Sequence, residues 1–389
     1  MSERTISRRV RGLPRSGVRE TMELALRTKG AIRLDIGDPD FHTPAHIVEA
    51  AARAAHEGFT HYGPAGGLPT LREQIAGKVA RVNGIECSPE QVVVTVGGAG
   101  AIFVTLLALL DPGDEVLVPD PGWPNYLSLT AAAGGVSVPY RLDPAREFEP
   151  DVEALDRLIG PRTKAIFVNS PGNPTGTIHS AAALSALREL ASRHGLWVVS
   201  DECYDELVLE GEHTSAAALG DSDRVVTVFS FSKTYAMTGW RVGYAVASRD
   251  VAQAIALAQE SVVSCPSTVA QKAAEAALLG LREPVEAMRA AYRRRRDLAL
   301  ARLDARGVGC GRPRGAFYVM VELTGAAEPS RDFARRLLRK QQVAVVPGSA
   351  FGAGGEGAVR VSLAASDESV ATGIDRLADA LERVPGVAA

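Results

Sequence analysis

The chain has 389 residues, 46% of them hydrophobic and 23% charged, with a formal net charge of -3 at neutral pH. That length exceeds one small core and predicts two domains. The slight acidic balance excludes nucleic acid as the main partner, and no apolar run is long enough to span a membrane, so no membrane partner is expected.

Near the N-terminus, Arg4, Arg8, Arg9, Arg11 and Arg15 are followed by no apolar core, and they read as a mobile basic arm rather than a secretory signal. From Pro44 onward helix and strand signals alternate. Helices are predicted over 45–57 and 69–82, a strand over 91–96, a helix over 100–110 and a strand over 115–118. A helix over 123–133, a strand over 136–140, a helix over 151–159, a strand over 164–168 and a helix over 180–194 follow. Further strands are predicted over 196–200, 224–229 and 242–246. Continuous Val/Ile-rich strands separated by helices predict an α/β fold: a mostly parallel central sheet sandwiched by helices.

Past about residue 285 the pattern changes to a long helix (283–306), a strand (317–321), a helix (330–341), a strand (358–363) and a helix (367–383), which read as a smaller α+β domain. The run Arg293-Arg294-Arg295-Arg296 is expected to be a solvated face or an interdomain contact. Cys87, Cys203, Cys265 and Cys310 lie far apart and match no zinc spacing, and the histidines are scattered, so no metal site is expected. The cysteines fit reduced thiols, and a cytoplasmic location is expected.

Lys233 carries the most information. It follows the apolar run Val225-Val226-Thr227-Val228-Phe229 within Ser230-Phe231-Ser232-Lys233-Thr234. A strand seldom delivers a lysine into a buried end, because an ammonium stripped of water is costly unless paired or covalently used. Held there, its pKa falls and it becomes nucleophilic toward an aldehyde. Two upstream motifs also end apolar runs: Asn169-Ser170-Pro171-Gly172-Asn173-Pro174-Thr175-Gly176 and Ser200-Asp201-Glu202-Cys203-Tyr204; Thr238-Gly239-Trp240-Arg241 lies downstream. Ligands of open α/β sheets sit beyond the carboxyl ends of the strands, so these motifs are expected at one rim. Glu202, Asp205 and Glu206 read as loop and surface charges. Gly97-Gly98-Ala99-Gly100 opens a helix whose free amides and dipole suit an anion, although it lacks the spacing of a dinucleotide fingerprint, which disfavours a nicotinamide dehydrogenase.

Taken in order, these motifs resemble the class I aminotransferases, the aspartate aminotransferase-like branch of the pyridoxal-phosphate fold type I enzymes. The resemblance runs from Ile36-Gly37-Asp38-Pro39-Asp40-Phe41 to Val359-Arg360-Val361-Ser362. It implies pyridoxal 5'-phosphate as cofactor, a Schiff-base lysine at Lys233 that also moves the proton, and Asp201 paired with the ring nitrogen. It implies that Asn173 and Tyr204 donate to the phenolic oxygen, and that Trp123 stacks on the ring. Gly98, Ala99, Gly100, Ser230, Ser232 and Arg241 would cradle the phosphate; Ala99 departs from the hydroxyl residue of many relatives, so its contact would be through backbone. Arg360 would grip the substrate α-carboxylate, with Gly37 backbone close by. Since Arg360 lies between valines, it needs a counter-charge; a structural salt bridge is the alternative, and the motif favours the substrate.

The resemblance further implies a large domain over 45–285 and a small one made of 1–44 plus 286–389, with the site in the cleft between them. Tyr62 would reach the phosphate of the partner subunit, implying a homodimer with shared active sites. The expected reaction is ping-pong amino transfer between an α-amino acid, aspartate-like or broad, and an α-keto acid such as 2-oxoglutarate. A lyase or decarboxylating enzyme on the same fold is the alternative. A pyridoxal-phosphate-sensing regulator is another, disfavoured because fewer than 45 residues precede the sheet region. No motif marks an arginine for a distal substrate carboxylate; Arg11, Arg15 and Arg19 stand as candidates.

Overall fold

The structure, a computed structural model, describes residues 6–14, 16–326 and 328–382. Arg4 and Arg15 of the basic arm, and the end of the helix expected over 367–383, lie outside them. Twelve strands occur among the described residues. They are β1 Ile32–Arg33, β2 Val92–Thr95, β3 Glu115–Asp120, β4 Val136–Arg141, β5 Thr163–Asn169 and β6 Trp197–Asp201, then β7 Val225–Ser230, β8 Gly243–Val246, β9 Tyr318–Glu322, β10 Val343–Ala344, β11 Val346–Pro347 and β12 Ala358–Ser362.

Seven of them form the central sheet, in the order β2-β8-β7-β6-β5-β3-β4. All pairings are parallel except the two made by β8. Burial on both faces follows from alternation along each strand. Val92, Val94, Leu117, Ile166, Val168, Val198 and Phe229 enter one apolar core. Their neighbours Val93, Val116, Val118, Ala165, Phe167, Val199 and Val228 enter the other. Each such side chain contributes roughly 1.5–3 kcal/mol on burial, which is why these runs settle as central strands.

The remaining strands form a three-stranded antiparallel sheet, β11-β12-β9, and the parallel pair β1-β10. The N-terminal segment joins the C-terminal part through backbone: Leu34 N donates to Ala344 O (3.0 Å) and Ser362 N to Leu34 O (2.8 Å).

Some features differ from the sequence reading. The basic arm forms a helical turn, Arg8–Arg11, with Arg9 reaching the Ala132 carbonyl. Helices Gly17–Arg27, Arg249–Val263 and Thr268–Leu279 were not expected, nor were the two-residue strands β1, β10 and β11, too short to carry a periodicity. The helix expected from 100 begins at Gly97.

The arginine run divides. Arg293 and Arg294 are exposed, whereas Arg295 and Arg296 are buried. Arg294 and Arg295 pair with Asp367, Arg295 also with Asp40, and Arg296 with Glu210 and Asp297, so three of the four tie the long helix to residues elsewhere in the chain.

Glu202, Asp205 and Glu206 overturn the surface-charge expectation, since all three are buried. Glu202 Oε1 accepts from Ser200 and Ser215 hydroxyls and the Ala216 amide, and Oε2 meets His213 Nε2 at 3.1 Å. Asp205 binds Lys78 and Asn83, while Glu206 binds Arg282 and Tyr235. Every buried carboxylate is thus met by donors, the condition under which burial is tolerable.

Candidate active site

Strand register sets the site. Asn169 on β5 is level with Asp201 on β6, and Ser230 ends the adjoining β7. These carboxyl ends form one rim. Because β8 runs the other way, its first residue, Gly243, lies beside both Ser230 and Thr95. The reversal therefore brings Arg241, just before β8, to the same rim as the helix start at Gly97. Close approach requires glycine here: a Cβ on Gly243 would meet the Gly97 and Gly98 backbone at 2.7 Å. At Gly97 φ is +72°, and a Cβ would press on the Arg241 guanidinium, also at 2.7 Å.

Over this rim lies a cavity of about 360 Å³. Twelve of the expected site residues line it, Gly37, Gly98, Ala99, Trp123, Asn173 and Asp201 on one count and Tyr204, Ser230, Ser232, Lys233, Arg241 and Arg360 on the next. Gly100, in the helix Gly97–Leu109, does not line it. Tyr62 does not line it either and is 89% exposed.

Lys233 sits on the short helix Phe231–Thr234, whose N-terminus is capped by Ser230 Oγ accepting from Ser232 N at 3.1 Å. Its Nζ donates to the Gly37 carbonyl at 2.6 Å. Burial lowers its pKa from the usual lysine value to about 8; Asp38 and Cys203 oppose that shift, whereas Arg360 and Arg241 add to it. Asp201 accepts from the Tyr126 hydroxyl at 2.6 Å and the Cys203 amide at 3.1 Å. Burial nonetheless raises its carboxyl above the usual range.

Arg360 is buried on β12, donating to Asn173 Oδ1 at 3.0 Å and the Asp35 carbonyl at 2.8 Å. Since arginine offers donors only, this contact fixes Asn173 with its Nδ2 as the remaining donor. No carboxylate pairs with Arg360 among the described residues, so no structural salt bridge supplies its counter-charge. The Tyr318 and Phe351 rings face the guanidinium at 4.3 and 4.8 Å from their centroids. Its Nε is buried and has no partner among the described residues. The Tyr204 and Tyr318 hydroxyls are 2.9 Å apart.

Sequence reasoning missed Tyr126 and Tyr318. Tyr126 was detectable, because it follows Trp123 by three residues at a helix start, and the two rings meet edge-on at 5.4 Å. Tyr318 lies within an apolar strand and carried no separate signal. The N-terminal helix also contributes Ser16, Val18, Arg19 and Met22. Of the three arginines raised for a distal carboxylate, Arg19 lines the cavity, Arg11 does not, and Arg15 lies outside the described residues.

The aminotransferase class I and II family model matches residues 29–380. The chain belongs to this family. The aspartate/prephenate aminotransferase of Thermus thermophilus is 43% identical over 98% of this chain and all of the relative. An aspartate aminotransferase of Geobacillus stearothermophilus is 40% identical, covering 96% of this chain and 98% of the relative. The solved Thermus thermophilus aspartate aminotransferase with maleate superposes with a TM-score of 0.93, at 43% identity over 97% of this chain and 100% of that one. The protein is a pyridoxal-phosphate-dependent aminotransferase of fold type I, and amino and keto acids are its substrates. No helix among the described residues is long and apolar enough to cross a membrane.

The cavity fits that cofactor. The helix Gly97–Leu109 has no side-chain cap at its N-terminus, leaving amides for a phosphate beside Arg241. A desolvated amine, Lys233, suits the cofactor aldehyde, and the buried Asp201 carboxylate suits its ring nitrogen.

Proposed function

We propose that this aminotransferase moves the amino group of an acidic α-amino acid, aspartate or glutamate, to an α-keto acid such as 2-oxoglutarate by a ping-pong reaction. The observation that carries the reading is one cavity holding an amine of pKa about 8, Lys233, together with Arg360, whose buried Nε has no partner among the described residues. The names of the Thermus and Geobacillus relatives support the acidic donor.

Pyridoxal phosphate, when bound, supplies an aldehyde carbon and an electron-withdrawing ring. Lys233 Nζ is the proton carrier: its depressed pKa leaves it able both to accept the proton released from the substrate α-carbon and to return it. Asp201 would face the ring nitrogen, with Tyr126 and the Cys203 amide keeping that carboxylate oriented. Tyr204 and Asn173 Nδ2 would donate to the phenolic oxygen. Gly98, Ala99, Gly100, Ser230, Ser232 and Arg241 would hold the phosphate, and Trp123 would cover the ring. Arg360 binds the substrate α-carboxylate in a charge-assisted fork beside the Gly37 backbone.

The wider assembly belongs to the same proposal. Residues 45–285 form the large domain, and 1–44 with 286–389 the small one. The enzyme works in the cytoplasm as a homodimer in which Tyr62 serves the partner's site, a role consistent with its exposure in the single chain.

A half-reaction tests the reading. Aspartate or glutamate should convert the bound cofactor to its amine form, and 2-oxoglutarate should reverse the spectrum. If amino acids instead release ammonia or carbon dioxide, the lyase or decarboxylase alternative replaces it.

A further inference from the structure

Four cationic side chains line the cavity, Lys233, Arg241, Arg360 and Arg19, against one carboxylate, Asp201. Three of the four are engaged. Lys233 donates to the Gly37 carbonyl, Arg241 to the Thr238 carbonyl at 2.8 Å, and Arg360 to Asn173 and Asp35. The Arg19 guanidinium makes no hydrogen bond or ion pair among the described residues. Its neighbour Glu20 is turned away to Arg335, and no ion pair joins Arg19 to Glu23 one turn on.

Its backbone, by contrast, is fixed. Arg19 N donates to Ser16 Oγ at 3.3 Å, capping the helix Gly17–Arg27. At its start the helix sits against Ala350, where a Cβ on Gly17 would come within 2.8 Å. Val18 and Met22 line the cavity with Arg19, adding apolar surface beside it.

We propose that Arg19 receives the distal carboxylate of a dicarboxylic substrate. The inference rests on the reading that Arg241 serves the phosphate and Arg360 the α-carboxylate, which leaves one cation without a task. A substrate side chain of two or three carbons would lie along Val18 and Met22 and end at Arg19. An exposed guanidinium pays little desolvation while the site is empty of substrate, yet it can form a planar fork with a carboxylate on binding. The helix thereby sets side-chain selectivity, while the rim of the central sheet sets the chemistry.

The test uses the holoenzyme and its Arg19→Gln and Arg19→Lys variants. The measurements are kcat/KM for aspartate, glutamate, alanine and phenylalanine, and the Kd of maleate, an unreactive dicarboxylate, from the change in cofactor absorbance. Arg19→Gln should lower kcat/KM for aspartate and glutamate by roughly 10- to 100-fold and weaken maleate comparably. Alanine and phenylalanine should change by less than about twofold, and Arg19→Lys should recover part of the loss. An equal fall for all four donors would overturn the proposal by assigning Arg19 to the α-carboxylate or the fold. No change for any donor or for maleate would overturn it by leaving the guanidinium in solvent. If wild-type enzyme transaminates no dicarboxylic donor, the substrate reading fails separately, and maleate affinity still decides the residue.

Discussion

Tyr126 donates a 2.6 Å hydrogen bond to Asp201 Oδ2 on the buried floor of the cavity. The pair joins a helix that follows β3 to the end of β6, and the Tyr126 ring stacks on Phe167 of β5 at 4.7 Å. Burial raises the Asp201 carboxyl above the usual range, and the Tyr126 hydroxyl and the Cys203 amide oppose that rise.

Asp201→Asn should retain the cofactor yet lose roughly 10²-fold or more in transamination rate, the scale of removing a preorganised charge at a reacting centre. Tyr126→Phe is the finer test. Removing a donor to the charged form raises the carboxyl pKa further, so the acid limb of the rate profile should move to higher pH. A profile unchanged from wild type would assign Tyr126 to packing alone.

For Lys233, the amine must be neutral to attack an aldehyde. Cofactor-free protein should take up pyridoxal phosphate at a rate that rises with pH through a midpoint near 8, the value to which burial lowers the lysine. Borohydride reduction followed by peptide mapping should find the label on Lys233. A midpoint at ordinary lysine values, or a label on Lys164 or Lys272, would count against the assignment.

Arg360→Lys keeps the charge but loses the fork. It should raise KM for every amino and keto acid, at a cost of about 2 kcal/mol. If only acidic substrates suffered, Arg360 would belong to the side-chain pocket, and the division of labour with Arg19 would be reversed.

Exposure of Tyr62 suits a role in another subunit. Tyr62→Phe should weaken cofactor retention and Lys233→Ala should abolish turnover, while mixed dimers of the two chains regain activity in one site of the pair. Subunit exchange shown independently, with no activity regained, would refute the shared site.

Lys78 meets Asp205 in a buried pair, with Asn83 donating to the same carboxylate at 3.0 Å. Lys78→Met should destabilise the fold by roughly 3–5 kcal/mol, because Asp205 is left charged and buried without its cation. Denaturant unfolding measures this, and Lys78→Met with Asp205→Leu should recover much of the loss. A single variant as stable as wild type would show that Asp205 is protonated or hydrated there.

Local chain features made much of the protein legible in its sequence. The apolar runs of β2, β5, β6 and β7 specify strands covered on both faces, and Asn173, Asp201 and Lys233 lie at a strand end or within a few residues of one. Such placement needs no distant partner, so periodicity and spacing express it. Tertiary structure decided what depends on residues far apart in the chain. Tyr126 reaches Asp201, Arg360 is held by carbonyl oxygens and aromatic faces, and Glu202, Asp205 and Glu206 are buried because Lys78, Arg282 and His213 come to meet them. A charged residue looks the same in sequence whether it faces water or a buried partner. Only packing supplies the desolvation and the donors that separate the two cases.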